Sequence, residues 1–111
     1  MAGSNLWAMN SSPMDSTDAV RLTAFVQGEV QAVGFRWWVR SRALELGLRG
    51  SASNLDDGRV EVVVEGSEDL CVTMLTPLSE SPSRFRRPGQ VDLVTPQWGG
   101  PKGLDEGFTA R

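Results

Sequence analysis

Apolar residues recur along this chain with two different spacings, and each spacing predicts one kind of element. Residues 20–26 alternate in the manner of a β-strand, and the positions on the apolar face are Val20, Leu22, Ala24 and Val26. In residues 35–46 the spacing changes to steps of three and four, which is typical of a helix with one buried face. The positions that repeat in this way are Phe35, Val39, Ala43 and Leu46. Gly47 is placed to end the helix.

A β-hairpin is predicted after this helix. Residues 48–54 alternate again, and the positions on one side of this second strand are Leu48, Gly50, Ala52 and Asn54. The pair Asp57-Gly58 is a frequent turn signal between paired strands. Val60, Val62 and Val64 then alternate with Glu61 and Glu65, which predicts the third strand.

A second helix and a fourth strand complete the pattern. Ser67 is placed to cap a helix whose apolar stripe is Leu70, Met74 and Leu78, and Pro77 should shorten or kink it. Residues 90–95 alternate as a fourth strand, Pro96 marks its exit or an exposed edge, and residues 108–111 are able to add a short terminal strand. The order β-α-β-β-α-β predicts an α+β fold of the ferredoxin-like kind, a sandwich of an antiparallel four-stranded sheet with two helices on one face.

The N-terminal residues lack both the strand spacing and the helix spacing, and this indicates where the domain begins. Residues 1–18 show neither period and are rich in Ser, Asn, Asp and Gly, so we expect a disordered N-terminal extension before one domain of residues 19–111. No apolar run approaches the roughly 18 residues that span a bilayer, and the N-terminus lacks the pattern of a secretory signal. We therefore expect a cytoplasmic monomer that contacts no membrane.

The residue inventory restricts the chemistry. The chain has no histidine and a single cysteine, Cys71, which excludes Ser-His-Asp and Cys-His catalysis within it and removes the usual zinc, iron and copper ligand clusters. We expect no metal and no cofactor. The net charge of −3 disfavours a dedicated nucleic-acid binder, which normally presents a dense basic face.

The loop between the first strand and the first helix is a candidate anion site. Backbone N–H groups at a helix N-terminus and the helix dipole both favour an anion, and Arg36 adds a two-pronged cationic donor there. Gly34 precedes Phe-Arg, where a nucleotide-binding P-loop would have Lys-Ser/Thr. The alternative is that Gly28 and Gly34 only permit a tight turn and that Arg36 is an exposed helix residue.

Two segments resemble the signatures of the acylphosphatase family. V-Q-G-E-V-Q-A-V-G-F-R, residues 26–36, is similar to the first signature, and G-S-A-S-N, residues 50–54, is similar to the second together with Gly58, Val60 and Gly66. The resemblance extends over residues 20–111 and implies the same fold and a metal-independent hydrolase of small-molecule acyl phosphates. This chain departs from the family pattern at Ala32, Ser51 and Ser53.

The resemblance also implies roles for individual residues. It makes Arg36 and Asn54 catalytic, with Arg36 binding the phosphate and Asn54 positioning the attacking water. The implied phosphate-binding set is Ala32, Val33, Gly34, Phe35 and Arg36. From the residues alone, an asparagine before Asp-Asp-Gly is also a common hairpin residue. Two alternatives stay open: a non-catalytic ferredoxin-like module that binds an anionic metabolite, and an accessory domain of a larger carbamoyl-transfer enzyme.

Overall fold

The computed structural model describes residues 19–31, 34–80, 87–103 and 107–111. Within these ranges the elements are β1 (Ala19–Glu29), α1 (Phe35–Glu45), β2 (Arg49–Asn54), β3 (Val60–Ser67), α2 (Glu68–Ser79), β4 (Gln90–Gly99) and β5 (Phe108–Ala110). The strands form one sheet in the order β4-β1-β3-β2-β5. The pairs β1–β3, β1–β4 and β2–β3 are antiparallel, and β5 pairs with β2 in parallel. The predicted ferredoxin-like α+β fold is confirmed, with a five-stranded mixed sheet in place of four antiparallel strands.

The core lies between the two helices and one face of the sheet. The predicted apolar face of β1 lies in register with the valines of β3, so that Leu22 is opposite Val64 and Val26 is opposite Val60. The helices add the buried side chains Phe35, Val39, Ala43, Cys71, Met74 and Leu78. All of these belong to one buried cluster. Both helices therefore cover the same sheet face, because alternate strand residues point to opposite faces.

The predicted ends of the helices agree with their capping geometry. α1 ends at Glu45, and Gly47 follows with a φ of 72°, the left-handed conformation that the sequence required of it. The Ser67 hydroxyl accepts a hydrogen bond of 3.3 Å from the Leu70 N–H and so caps α2. Pro77 lies inside α2, which ends two residues later at Ser79.

The strand β4 is longer than the alternation predicted. It continues through Pro96 to Gly99, so the interpretation of Pro96 as the exit of the strand is wrong. The alternative, an exposed edge, is confirmed because β4 is an outermost strand of the sheet. A proline is tolerated there since one side of an edge strand makes no ladder hydrogen bonds. In the described part of the chain, neither helix has the length and apolarity that crossing a bilayer requires.

Candidate active site

The sheet topology brings the two signature segments to one edge. Strands β1 and β2 are both antiparallel to β3, so they run parallel to each other and their C-terminal ends lie at the same edge of the sheet. Asn54, the last residue of β2, is opposite Val60, and Val60 is opposite Val26 near the end of β1. The loop that follows β1 therefore starts two strands away from Asn54.

The helix α1 begins near this edge without a side-chain cap. Its N-cap is Gly34, which has a φ of 83° and no side chain with which to cap the helix. The Trp38 N–H donates to the Gly34 carbonyl at 3.0 Å, and no acidic residue lies in the first turn. The N–H groups of the first turn thus have no side-chain cap, and they form the positive end of the helix dipole.

Arg36 lies on the flank of α1 that faces β2 and β5. Arg36 and Arg40 are one turn apart and therefore share a flank, and the Arg40 Nε donates to the Phe108 carbonyl in β5 at 3.1 Å. Asn54 is exposed at the end of β2, on the same sheet face as the buried Ala52, two residues earlier. The structure thus places the helix start with Arg36 and the strand end with Asn54 on the same side of the sheet.

The implied phosphate-binding residues divide into described and undescribed positions. Gly34, Phe35 and Arg36 are described, whereas Ala32 and Val33 lie outside the described residues. Phe35 is 1% exposed, and its ring stacks on that of Trp38 with 5.8 Å between centroids. This packing holds the first turn of α1 against the core.

Two arginines near this edge differ in whether a carboxylate pairs with them. Arg36 is half-buried and makes no hydrogen bond or ion pair with the described residues. Arg59, in the β2–β3 hairpin, is instead paired with Asp57 at 2.8 Å, and its guanidinium lies 4.9 Å from the centre of the Phe25 ring. The Arg59 backbone N–H and guanidinium lower the pKa of Asp57. Arg36 is therefore available to an anion, whereas Arg59 has a carboxylate partner.

One residue of this site was missed by the sequence reasoning. The Gln31 amide nitrogen donates to the Leu55 carbonyl and to the Arg59 carbonyl, each at 2.9 Å. These hydrogen bonds join the loop after β1 to the hairpin loop that begins next to Asn54. The acceptors are backbone atoms 24 and 28 residues away along the chain, so no local pattern or spacing signals the contact.

Comparisons with known proteins find relatives of this chain in sequence and in fold. Residues 22–109 match the sequence model of the acylphosphatase family. An acylphosphatase from Corynebacterium efficiens is 65% identical over 98 residues, which are 88% of this chain and 98% of that protein. The crystal structure of an acylphosphatase from Bacillus subtilis superposes with a TM-score of 0.70 at 26% identity and covers 83% of this chain and 98% of that one. The structure of HypF from T. kodakarensis matches with a TM-score of 0.64 at 36% identity, covering 81% of this chain but 11% of that one.

Proposed function

The chain belongs to the acylphosphatase family, and we propose that it hydrolyses small-molecule acyl phosphates by direct attack of a water that Asn54 holds on a phosphoryl group that Arg36 binds. It is a hydrolase acting on acyl phosphates, as its relatives are named. The observation that carries the proposed mechanism is the shared sheet edge, at which the uncapped start of α1 and the end of β2 lie on one side of the sheet.

Binding of the phosphoryl group is the task of α1 and the loop before it. The Arg36 guanidinium can donate two parallel hydrogen bonds to phosphoryl oxygens. The N–H groups of Gly34, Phe35 and Arg36 add donors at the positive end of the helix. We include the backbone N–H groups of Ala32 and Val33 in the same cradle. These donors stabilise the charge that spreads over the three phosphoryl oxygens during transfer.

Asn54 orients the attacking water. Its side-chain amide has both a carbonyl oxygen and an NH₂ group, so it can orient a water molecule as donor and as acceptor. The water oxygen forms a bond to phosphorus while the bond from phosphorus to the carboxyl oxygen breaks, and the electron pair of that bond leaves on the carboxylate. The proton of the water passes to a phosphoryl oxygen of the substrate. The products are one carboxylate and one inorganic phosphate.

No further group is needed for this step. A carboxylate departs without a general acid, which fits a chain that contains no histidine. We propose that residues 19–111 carry the activity as a cytoplasmic monomer without a cofactor. The non-catalytic alternative, a module that binds an anionic metabolite, would need Arg36 but would have no use for Asn54.

The decisive experiment separates binding from turnover with acetyl phosphate as substrate and inorganic phosphate as inhibitor. Arg36→Ala should abolish both turnover and inhibition by phosphate. Asn54→Ala should lower kcat at least about a hundredfold and leave the inhibition constant of phosphate within a few-fold. Ser53→Ala is the matched control, since Ser53 is the neighbour of Asn54 on the opposite sheet face. Near-normal turnover by Asn54→Ala would contradict the mechanism.

Metal independence is tested in the same assay. Among the described residues, no three or more acidic or cysteine side chains lie close enough together to hold a metal ion. We therefore expect EDTA to leave kcat/KM unchanged. Loss of activity in EDTA that added Mg²⁺ restores would instead indicate metal-assisted phosphoryl transfer.

A further inference from the structure

The two hydrogen bonds of Gln31 use the whole donor capacity of its amide. A glutamine NH₂ group has two hydrogens, and the Leu55 and Arg59 carbonyls each accept one of them at 2.9 Å. Both acceptors are carbonyl oxygens, so only the nitrogen of the amide can face them. The side chain is half-buried, which limits competition from water.

The hairpin loop that receives these bonds is already ordered by its own backbone. The Leu55 N–H donates to the Arg59 carbonyl at 2.8 Å, and the Gly58 N–H donates to the Leu55 carbonyl at 3.1 Å. Gly58 has a φ of 95°, which suits the left-handed position of a three-residue hairpin loop. The second lone pairs of the same two carbonyls remain for Gln31. Gln31 therefore binds to a hydrogen-bonded loop that begins at Leu55, the residue after Asn54.

We propose that Gln31 is a positioning residue, which sets the distance and orientation between the phosphate-binding loop and Asn54. This inference rests on the proposed roles of Arg36 and Asn54. The sheet aligns the ends of β1 and β2 only through the intervening β3, and Gln31 lies beyond the end of β1. Its two bonds connect the segment that leads into α1 directly to the strand end that carries Asn54. Gln31 touches neither the phosphoryl group nor the water in this assignment.

The position of Asn54 relative to the phosphoryl group governs turnover more than affinity. In-line attack needs the water and phosphorus at near-contact distance and aligned, and a misplacement of about 1 Å can cost about a hundredfold in rate. In the proposed assignment the phosphate is held by Arg36, the start of α1 and the N–H groups of Ala32 and Val33, and the Gln31 side chain makes its two hydrogen bonds to the hairpin instead. Loss of the Gln31 hydrogen bonds should therefore lower kcat without weakening the binding of phosphate.

The test is Gln31→Met, which keeps the length of the side chain and removes both donors. We expect kcat for acetyl phosphate to fall about ten- to a hundredfold, while the inhibition constant of inorganic phosphate stays within a few-fold. Gln27→Met is the matched control, because Gln27 is an exposed glutamine of the same segment and makes no hydrogen bond through its side chain to the described residues. It should leave both quantities unchanged. Gln31→Asn keeps an amide on a shorter side chain and should recover part of kcat.

A double variant distinguishes positioning from a merely structural role. If Gln31 acts through Asn54, adding Gln31→Met to Asn54→Ala should lower kcat little further, because the contribution that Gln31 supports is already absent. A residue that only stabilises the fold would lower the melting temperature and leave kcat of the folded enzyme unchanged. Should Gln31→Met fail to fold, Gln31→Asn takes its place in every comparison.

The outcomes separate this inference from the proposed function. Full activity of folded Gln31→Met, or losses that multiply in the double variant, would overturn the positioning role while Asn54→Ala still inactivates the enzyme. A parallel loss of phosphate binding and kcat would also overturn it, since Gln31 would then act on the phosphate cradle. Retained activity of Asn54→Ala would instead refute the proposed mechanism, on which the role of Gln31 depends.

Discussion

Gly50 occupies a backbone position that no other residue can take without strain. Its φ is 150°, and a Cβ atom built there would overlap the carbonyl oxygen of Val63 in the neighbouring strand. We predict that Gly50→Ala lowers the free energy of unfolding by at least about 2 kcal/mol, as measured by urea denaturation. Gly100→Ala is the control, because Gly100 is exposed and has open space around it. Equal stability of the two variants would show that the strand pair adjusts freely.

The buried thiol of Cys71 should make the free energy of unfolding fall at high pH. Burial raises the pKa of the Cys71 thiol to about 11, and the charges of Glu65 and Glu68 add to this effect. The thiol of an unfolded chain has its ordinary pKa of 9.0. Stability is therefore fully present below that pH, and it falls as the pH rises toward the folded-state pKa, because only the unfolded state releases the proton.

The prediction for Cys71 is measured by urea denaturation between pH 8 and about pH 10.5. Wild-type protein should lose unfolding free energy more steeply over this range than Cys71→Ala, which carries no thiol. The comparison of slopes removes any pH dependence that both proteins share. Identical slopes would mean that the thiolate is accommodated in the folded core.

At the level of the elements, the C-terminus of α2 depends on a residue outside the helix. The Arg87 guanidinium donates to the Pro77 carbonyl at 3.0 Å and to the Leu78 carbonyl at 3.2 Å. No basic residue lies in the last turn of α2, so these bonds satisfy helix-end carbonyls that the helix leaves unpaired.

We predict that Arg87→Met lowers the free energy of unfolding by about 1.5–3 kcal/mol, the range for hydrogen bonds to charged groups. The value is obtained from chemical denaturation. Lys102→Met is the matched control, since it also removes a surface cation and Lys102 is exposed. If both variants are as stable as the wild type, solvent caps the helix equally well.

The elements differ in how far their sequences predict them. β1 is predictable because burial on one face imposes an alternation of apolar and polar residues in its sequence. β3 is predictable from its run of β-branched valines, and it is buried on both faces over residues 62–65. The placement of the start of α1 and the end of β2 at one edge of the sheet follows from the order of elements, since β1 and β2 have to run parallel in this fold. The continuation of β4 past Pro96 depends on which strand lies at the edge, and the Gln31 bonds depend on backbone atoms distant in sequence. These contacts are tertiary, so local patterns do not contain them.

For the whole molecule, the boundary of the domain is the property to test. The predicted extension of residues 1–18 lies outside the described residues, β1 begins at Ala19, and the family match begins at Leu22. We predict that deleting residues 2–18 leaves the melting temperature and kcat/KM unchanged, because those residues show no pattern that buries a core face. A drop of several degrees would indicate that Leu6 and Trp7 pack on the domain.

The control for this deletion is a longer one that also removes residues 19–21. These residues pair with β3 opposite Ser67, Gly66 and Glu65, and Arg21 makes an ion pair of 3.6 Å with Glu65. The longer deletion should lower the melting temperature clearly, as seen by circular dichroism. Equal effects of the two deletions would place the true domain boundary elsewhere.

The position of β3 between β1 and β2 has a consequence for refolding. In the sheet β3 lies between the two strands that carry the signature segments, and β1 pairs with residues of β3 that are 34–48 positions away along the chain. Such distant pairing makes folding slow relative to helical proteins of this size, because the chain loses loop entropy before the contacts form. In a refolding experiment, hydrolysis of acetyl phosphate should therefore recover with the same rate constant as the burial of the Trp38 side chain. A partly folded chain should be catalytically inactive.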